Sequence, residues 1–519
     1  MTARPAGPAH WFLAPGDRGN PDTTLDSRHP DGSSWTEGNQ VTPLVHGATY
    51  FTALLAAVRA LGPGDLLLFT DWRGDPDERL DGPGTEVGRV FAAAADRGVD
   101  VRGLVWRSHW DRFRFSAAEN RHLGEEIDEA GGQCLLDMRV RPLGSHHQKL
   151  VVLRHRDRPQ DDVAYVGGID LCHSRRDDEA HLGDPQPVRM AAVYGPRPPW
   201  HDVQLEIRGP AVGDAEAVFR ERWDDTTPLT LNPLRRLDDP PQVRRTPVRP
   251  LPPQHPDPAP RGTAAVQLLR TYPPRVPRYP FARGGERSVA RGYIAALRRA
   301  RRLVYLEDQY LWSRDVAAAF AAALRRAPDL RLVVVVPLHC DQDGRDAVVP
   351  TELGRWHAMQ LLRRAGGDRV AVYGVENEAG TPIYVHAKVC VVDDAWACVG
   401  SDNANRRSWT HDSELSAAFV ERTTSGTAHA LRLRLAAEHL AAPEVPDDPL
   451  SWFAAFREAA AALDAWYDGG RRGPRPPGRL RTYRSPRLPW HTRLWAEPLY
   501  RWVYDPDGRR LGDQVARRF

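Results

Sequence analysis

The stretch VHAKVCVVDD, Val385 to Asp394, holds one of only two lysines in the chain; the other is Lys149, in HHQKL (146–150). Both follow a histidine at the same spacing, His386-x-Lys388 and His147-x-Lys149. The chain has 519 residues, 71 lysines plus arginines and 19 histidines, so a shared H-x-K at both lysines is poorly explained by coincidence. In an extended strand residues i and i+2 point to one face, which sets an imidazole beside an ammonium. Imidazole acts as a nucleophile or as an acid and base near neutral pH. Lysine is a compact, rotatable point charge suited to a single phosphate oxygen, whereas the arginine fork fixes a bidentate plane. A chain that otherwise uses arginine has a chemical reason to keep lysine at these two places.

Working outward, each H-x-K closes a similar run of elements. HGATYFTALLAAVRALGPGDLLLFTDW (46–72) and ARGYIAALRRARRLVYLEDQYLW (290–312) both read as helix, turn and buried strand, with Tyr50 and Tyr293 in matching places. EVGRVFAAAADRGVDVRGLVW (86–106) and DVAAAFAAALRRAPDLRLVVVV (315–336) are alanine-rich helices feeding strands. A further helix then closes on AGG, at 130–132 and 365–367, before another strand (QCLLDM, DRVAVYG) and the H-x-K with a valine-rich hairpin. Four elements in one order, ending on one rare pattern, predict a duplicated α/β unit. The expected divisions are a first unit at 1–226, a proline-rich linker at 227–262 and a second unit at 263–440. A helical, arginine- and tryptophan-rich extension follows at 441–519. DDPPQVRRTPVRPLPPQHPDPAPRG (238–262) is expected to be mobile or draped over the surface.

Composition narrows the class. A net charge of +3 with 27% charged and 41% hydrophobic residues fits a globular protein and is no footprint of a dedicated nucleic-acid binder. The opening MTARPAGPAHWFLAPGDRGN has no continuous apolar run, so no secretory leader is expected. LRLVVVVPL (330–338) is too short to span a bilayer and reads as a buried strand. Five scattered cysteines form neither a disulfide framework nor a CxxC metal site. A reduced, cytoplasmic setting is expected, with access to a membrane surface.

The second motif continues as HAKVCVVDDAWACVGSDNANRRSWTHDSEL, a hairpin turning at Asp393-Asp394, then Gly400-Ser401-Asp402-Asn403, then Asp412-Ser413-Glu414. The pattern H-x-K-x4-D, G-S-x-N and a downstream acid resembles the phospholipase D superfamily, whose members carry two such motifs. His386, Lys388, Asp393, Gly400, Ser401, Asn403 and Glu414 fall on its positions. The first copy, HHQKLVVLRHRDRPQDDVAYVGGIDL, resembles it too, above all in Gly167-Gly168-Ile169-Asp170. It departs where the aspartate five residues after Lys149 is Arg154. In the family that aspartate supports the turn, and Asp157, Asp161 and Asp162 are the candidates to replace it. PPWHDVQLEIRGPAV (198–212) is similar to the family's P-W-H-D-V segment, and Glu307-Asp308-Gln309 to its E-N-Q segment.

The resemblance implies a duplicated α/β/α sandwich of two pseudo-symmetric halves, with mixed sheets and the active site at their interface. It implies a two-step displacement at phosphorus: His147 attacks to give a phosphohistidine, and His386 protonates the leaving alcohol and then activates water or an acceptor alcohol. The assignment of the two histidines rests on the resemblance alone. Lys149, Lys388 and Asn403 are expected to hold the non-bridging oxygens, so the chemistry needs no metal and no cofactor. Asp202 is expected to accept a hydrogen bond from His147, and Glu414 from His386, each fixing a tautomer. Ser401, Gly168, Asp170 and Gln309 are expected at the substrate, and Asp393 and Gly400 in the hairpin.

The expected substrate is a phospholipid. Both motifs lie on one chain, GGIDL and PWHDV look like phospholipase-type members, and the tail interleaves arginine with Trp490, Trp495, Tyr500, Trp502 and Tyr504. Basic and aromatic side chains together suit an anionic lipid interface. The alternatives are a cardiolipin-synthase-like phosphatidyltransferase and a nuclease of the same superfamily, since the same mixture also suits single-stranded nucleic acid. No obligate protein partner is inferred.

Overall fold

The structure, a computed structural model, describes residues 7–108, 117–232, 247–423, 425–485 and 488–519. The first half runs β1 (Thr36–Val45), α1 (Gly47–Arg59), β2 (Leu66–Asp71), α2 (Val87–Asp96), β3 (Asp100–Trp106), α3 (Ala117–Glu129) and β4 (Gln133–Asp137). It continues through β5 (Leu150–Arg154), β6 (Val163–Gly167), β7 (Trp200–His201), β8 (Val203–Arg208) and α4 (Ala211–Trp223). The second half runs β9 (Ala264–Tyr272), β10 (Glu286–Arg287), α5 (Ser288–Arg299), β11 (Leu303–Glu307), α6 (Arg314–Arg326), β12 (Arg331–Val335), α7 (Arg345–Gly366) and β13 (Val370–Val375). Then come β14 (Tyr384–Val385), β15 (Val389–Val392), β16 (Trp396–Gly400), β17 (Glu414–Val420) and α8 (Thr427–Leu440). The extension adds α9 (Pro449–Asp468), β18 (Leu480–Thr482) and α10 (Trp490–Leu499).

Read from β1 outward, the first half's strand order is β1-β8-β6-β5-β2-β3-β4; from β9 outward the second half repeats it as β9-β17-β16-β15-β11-β12-β13, with β18 added at the edge. In each half the two outermost shared pairings are parallel and follow helical crossovers, while the rest are antiparallel. The two mixed sheets are not separate: β1 pairs antiparallel with β9, which joins them into one sheet.

Strand alternation divides the core. On β5, Leu150 and Val152 enter the central core, while Val151 and Leu153 pack under the outer helices α1–α3. On β15, Val389 and Val391 enter the same central core, whereas Cys390 and Val392 face α5–α7. The central core therefore takes one face of each half, with α4 and α8 inserted into it, and the helices on the far faces complete an α/β/α layering. LRLVVVVPL supplies β12, with Leu332 to Val335 buried. All five cysteines are buried and unpaired.

The hairpins at the two motifs are built differently. Asp393 and Asp394 both have positive φ, as a type I′ turn demands, and the Asp393 carboxylate accepts the backbone N–H groups of Arg301, Arg302 and Leu303 at 2.7–2.8 Å. In the first half the fully buried Arg154 instead pairs with Asp162 at 2.7 Å and with Glu216, and donates to Pro256 O at 2.5 Å. Of the three candidate aspartates it is Asp162 that meets Arg154. The capping of the turn is shared by Asp162, which accepts from His155 N at 2.6 Å, and Asp65, which accepts from Gly62 N and Arg156 N, both at 2.9 Å.

The contact to Pro256 also bears on the linker. Residues 247–262 are tied to the first half by Trp223 Nε1 donating to Arg249 O at 3.0 Å and Gln254 donating to Gly213 O at 2.7 Å. Of the two expected arrangements, draping over the surface is the one this part takes. Residues 233–246 of the same segment lie outside the described residues.

Candidate active site

Both H-x-K segments lie in the extended lead-in to a strand, just ahead of β5 and β15, rather than within it. The lead-ins leave their own sheets because they pair with the opposite half. His147 N donates to Ser413 O at 2.9 Å, and His386 N donates to His201 O at 2.8 Å. These cross-contacts, with the parallel β7–β14 pair, carry each histidine to the seam between halves.

The same cross-pairing decides which acid meets which imidazole. His147 Nδ1 lies 2.8 Å from Glu414 Oε2, and His386 Nδ1 lies 2.6 Å from Asp202 Oδ2. The expected pairing, Asp202 with His147 and Glu414 with His386, is corrected. Each acid immediately follows the residue whose carbonyl accepts from the opposite half's histidine, so it can reach only that histidine. With Nδ1–H given to a carboxylate, each imidazole keeps its Nε2 lone pair for the cleft.

The glycines of the motifs permit this closeness. A Cβ on Gly168 would come 2.2 Å from Asp202 Oδ1, and one on Gly400 would come 1.8 Å from Ser416 Oγ. Ser401 Oγ donates to Glu414 Oε2 at 2.5 Å and accepts from Leu415 N at 3.0 Å. Ser401 thus holds Glu414 and Gly168 leaves room for Asp202; neither lines the cleft, which corrects their expected place at the substrate.

The lysines lie beneath the histidines and are nearly inaccessible. Lys149 Nζ donates to His147 O at 3.0 Å, forms an ion pair with Asp170 at 3.1 Å and sits 5.8 Å from the Trp72 ring centre. Lys388 Nζ donates to His386 O and, at 3.3 Å, to Gln309 Oε1. Asn403, the counterpart of Asp170, leaves its buried Oδ1 without a hydrogen-bond partner.

Burial, reinforced by Lys149 and Lys388, holds the His147 imidazole well below its ordinary pKa. Burial with Lys388 and Arg175 does the same to His386. Burial pushes the Asp202 carboxyl up against the opposing pull of Lys388. Burial and the Asp412 charge raise Glu414. The site therefore favours neutral imidazoles and low total charge. Burial also brings the Lys388 ammonium down to about 8, with neighbouring Lys149 adding to the effect and Asp202 opposing it. Burial opposes ionisation of Asp170, but Lys149 and Arg175 overcome it and hold that carboxylate below the usual range.

His147 and His386 open onto one cleft of about 1080 Å³, together with Asn403, Gln309 and Glu414. Sequence reading missed several of its walls. Trp72 takes just after β2 the place that Gln309 takes just after β11, so the repeat could have flagged it. Arg175, stacked 4.0 Å over the Trp200 ring and 3.3 Å from Asp170, gives no signal in the sequence. Tyr384 donates no such warning either, although its hydroxyl accepts from Gln309 at 2.8 Å. Groupings of histidine and carboxylate able to hold a metal lie outside the cleft, around Glu438 and Glu307.

Paired imidazoles backed by acids, over two lysines, suit displacement at a phosphodiester without a hydrolytic serine or cysteine. Comparison with known proteins agrees. A family model described as phospholipase D matches residues 76–317, and one described as cardiolipin synthase, PLD-like domain, matches 293–430. Phospholipase D alpha 1 of Cynara cardunculus is 26% identical over 493 residues, and that of Nicotiana tabacum is 27% identical over 493 residues. Each alignment covers 70% of this chain and 60% of the relative, so the chain spans somewhat over half the length of these relatives. The fold is similar to the crystal structure of phosphatidylserine synthase from Haemophilus influenzae Rd KW20, with a TM-score of 0.52 and 14% identity over 76% of this chain and 85% of that one. The chain belongs to the phospholipase D superfamily.

Proposed function

We propose that the protein is a phosphodiesterase of phospholipase D type. It cleaves the distal phosphodiester bond of a glycerophospholipid to phosphatidic acid and an alcohol, or transfers the phosphatidyl group to an acceptor alcohol. The observation that carries this reading is the pair of acid-backed imidazoles opening on one cleft. His147 Nε2 attacks phosphorus while His386, protonated in that state of the cycle, gives its proton to the departing head-group oxygen. Water or an alcohol then loses its proton to His386 and displaces His147 from phosphorus. Lys149, Lys388 and Asn403 carry the charge that builds on the non-bridging oxygens, with Asp170 and Gln309 setting the lysines.

The mouth of the cleft favours a lipid. Val503 and Tyr504 of the extension line it, and nearby in the chain Trp490, Leu494 and Trp502 are 71%, 70% and 74% exposed. The tail is divided between two uses: Ala496 and Tyr500 are buried against Trp312 and Leu353, while these other side chains are left outward. Aromatic and aliphatic side chains beside arginines suit insertion at a lipid interface. No helix among the described residues is long and apolar enough to cross a membrane, so contact through this rim is the mode proposed.

The test is incubation with phosphatidylcholine vesicles and a primary alcohol, in parallel with single- and double-stranded DNA. Phosphatidic acid and a phosphatidyl-alcohol are the expected products. DNA cleavage without lipid turnover overturns the reading. A second reading, phosphatidyl transfer between lipids as in cardiolipin synthesis, draws on the match over 293–430. It is distinguished by offering phosphatidylglycerol as the acceptor.

A further inference from the structure

Behind the cleft lie six buried side chains that the phosphodiester chemistry does not use. They are His46 at the β1–α1 junction, His181 in the loop between β6 and β7, His201 on β7, Glu307 at the end of β11, and Glu438 with His439 on α8. All are at most 2% exposed, and none lines the cleft. Three imidazole nitrogens converge on the Glu438 carboxylate. His46 Nε2 is 2.8 Å from Oε2, His181 Nε2 is 2.9 Å from Oε1, and His201 Nδ1 is 3.4 Å from Oε1. The ligand atoms of these four residues all lie within 4.8 Å of one another.

Outer partners steady two of the rings. His201 Nε2 meets Glu307 Oε2 at 2.6 Å, and His181 Nδ1 lies 3.4 Å from Asp177 Oδ2. His439 shares Glu307 at 2.7 Å. A carboxylate on the far ring nitrogen is the arrangement that orients metal-bound histidines and raises their basicity. His201 Nδ1 has no hydrogen-bond partner although it is fully buried and aimed at Glu438. An ion shared between His201 Nδ1 and Glu438 would satisfy both groups where the 3.4 Å contact makes no well-formed hydrogen bond.

The duplication sharpens the point. Ser413 occupies in the second half the place of His201, and its carbonyl accepts from His147 N as that of His201 accepts from His386 N. The backbone link needs no histidine at this position, so His201 has another use. A tetrahedral ion with bonds of about 2.1 Å spaces its donors about 3.4 Å apart, inside the 4.8 Å within which these four ligand atoms lie.

We propose that His46, His181, His201 and Glu438 bind a divalent transition-metal ion of zinc type, which staples the two halves behind the Asp202–His386 pair. Three imidazoles and one carboxylate are a donor set that suits zinc. The staple joins residues 392 and 257 positions apart in the chain. It also borders the active site directly. His201 precedes Asp202, the carbonyl of Asp202 accepts from His46 N at 2.9 Å, and that of His201 accepts from His386 N and Ala387 N. The ion is closed off from the cleft and touches no substrate.

The test is metal analysis of the purified full chain after reconstitution with Zn2+ alone and gel filtration, with X-ray absorption at the zinc edge. The expected result is about one ion per chain with an imidazole-rich, four-coordinate shell. In His181→Ala and Glu438→Gln, zinc content should fall at least about tenfold, since even a partner of a metal ligand costs about that much when removed. Three results overturn the proposal: wild-type protein that retains almost no zinc, zinc at full occupancy in both variants, or an absorption spectrum without imidazole ligands. The wild-type measurements decide the matter even where the variants fail to fold.

Discussion

The two halves share a strand order, a lead-in bearing H-x-K, and an acid donated across the seam, yet they surround their lysines differently. Lys149 is neutralised by Asp170, which Arg175 also holds, and it sits by the Trp72 ring. Lys388 has the amide of Gln309, and Asn403 stands where the first half has Asp170. The backbone repeat thus supports an electrostatic asymmetry. The second half offers the less neutralised positive charge and an unpartnered amide oxygen, whereas the first half keeps its charge balanced under His147. Equal frames can therefore serve unequal roles in one reaction.

The strongest way to break that comparison is to remove either imidazole. His147→Ala and His386→Ala should each cut lipid turnover by at least about 10³-fold, the scale of losing a general acid or base, with melting temperature nearly unchanged. Appreciable turnover in either variant means that the halves do not share one site. The crossed acids come next. Glu414→Gln and Asp202→Asn should each lower kcat by about 10²–10⁴-fold, as in other systems where an orienting carboxylate is made an amide. In the steady state, Glu414→Gln should deplete the covalent intermediate, because it impairs His147. With a p-nitrophenyl leaving group, which departs without an acid, Asp202→Asn should enrich it, because His386 then acts only in its breakdown; rapid-quench measurement distinguishes the two, and uncrossed pairs would reverse the pattern.

The hairpins differ in what they cost to disturb. Arg154→Met strands the buried Asp162 and Glu216 carboxylates and should destabilise the fold by about 3–5 kcal/mol. Asp393→Ala removes acceptors for three N–H groups at a more open turn and should cost about 1–2 kcal/mol. Denaturant titration gives both values. The smallest effect concerns pH. Lys388 is cationic below about 8 and loses its charge above it, so kcat/KM should fall as pH rises through that value. Lys388→Arg keeps the charge and should move this alkaline limb upward, whatever it does to the maximal rate.

Much of this was legible in the sequence because lysine is so scarce: Lys149 and Lys388 alone pointed to the paired site, and the matching helices and strands pointed to duplication. The acids Asp202 and Glu414 were also visible, but not which histidine each serves. In a two-fold repeat both pairings have the same sequence signature, and only the swap of lead-in strands across the seam separates them. The role of Arg154 was hidden because its partners, Glu216 and Pro256, are distant in the chain. The histidines around Glu438 were hidden for the same reason, being brought together from β7, α8 and two loops.

The most direct measurement uses a phosphatidyl ester of p-nitrophenol, whose leaving group needs no protonation. With His386→Ala, the expected result is one rapid equivalent of p-nitrophenolate per chain, with the phosphatidyl group recovered on His147 by peptide mass spectrometry. With His147→Ala no burst should occur. A burst in His147→Ala and none in His386→Ala would reverse the roles, and wild-type turnover with neither histidine ever modified would contradict the covalent mechanism itself.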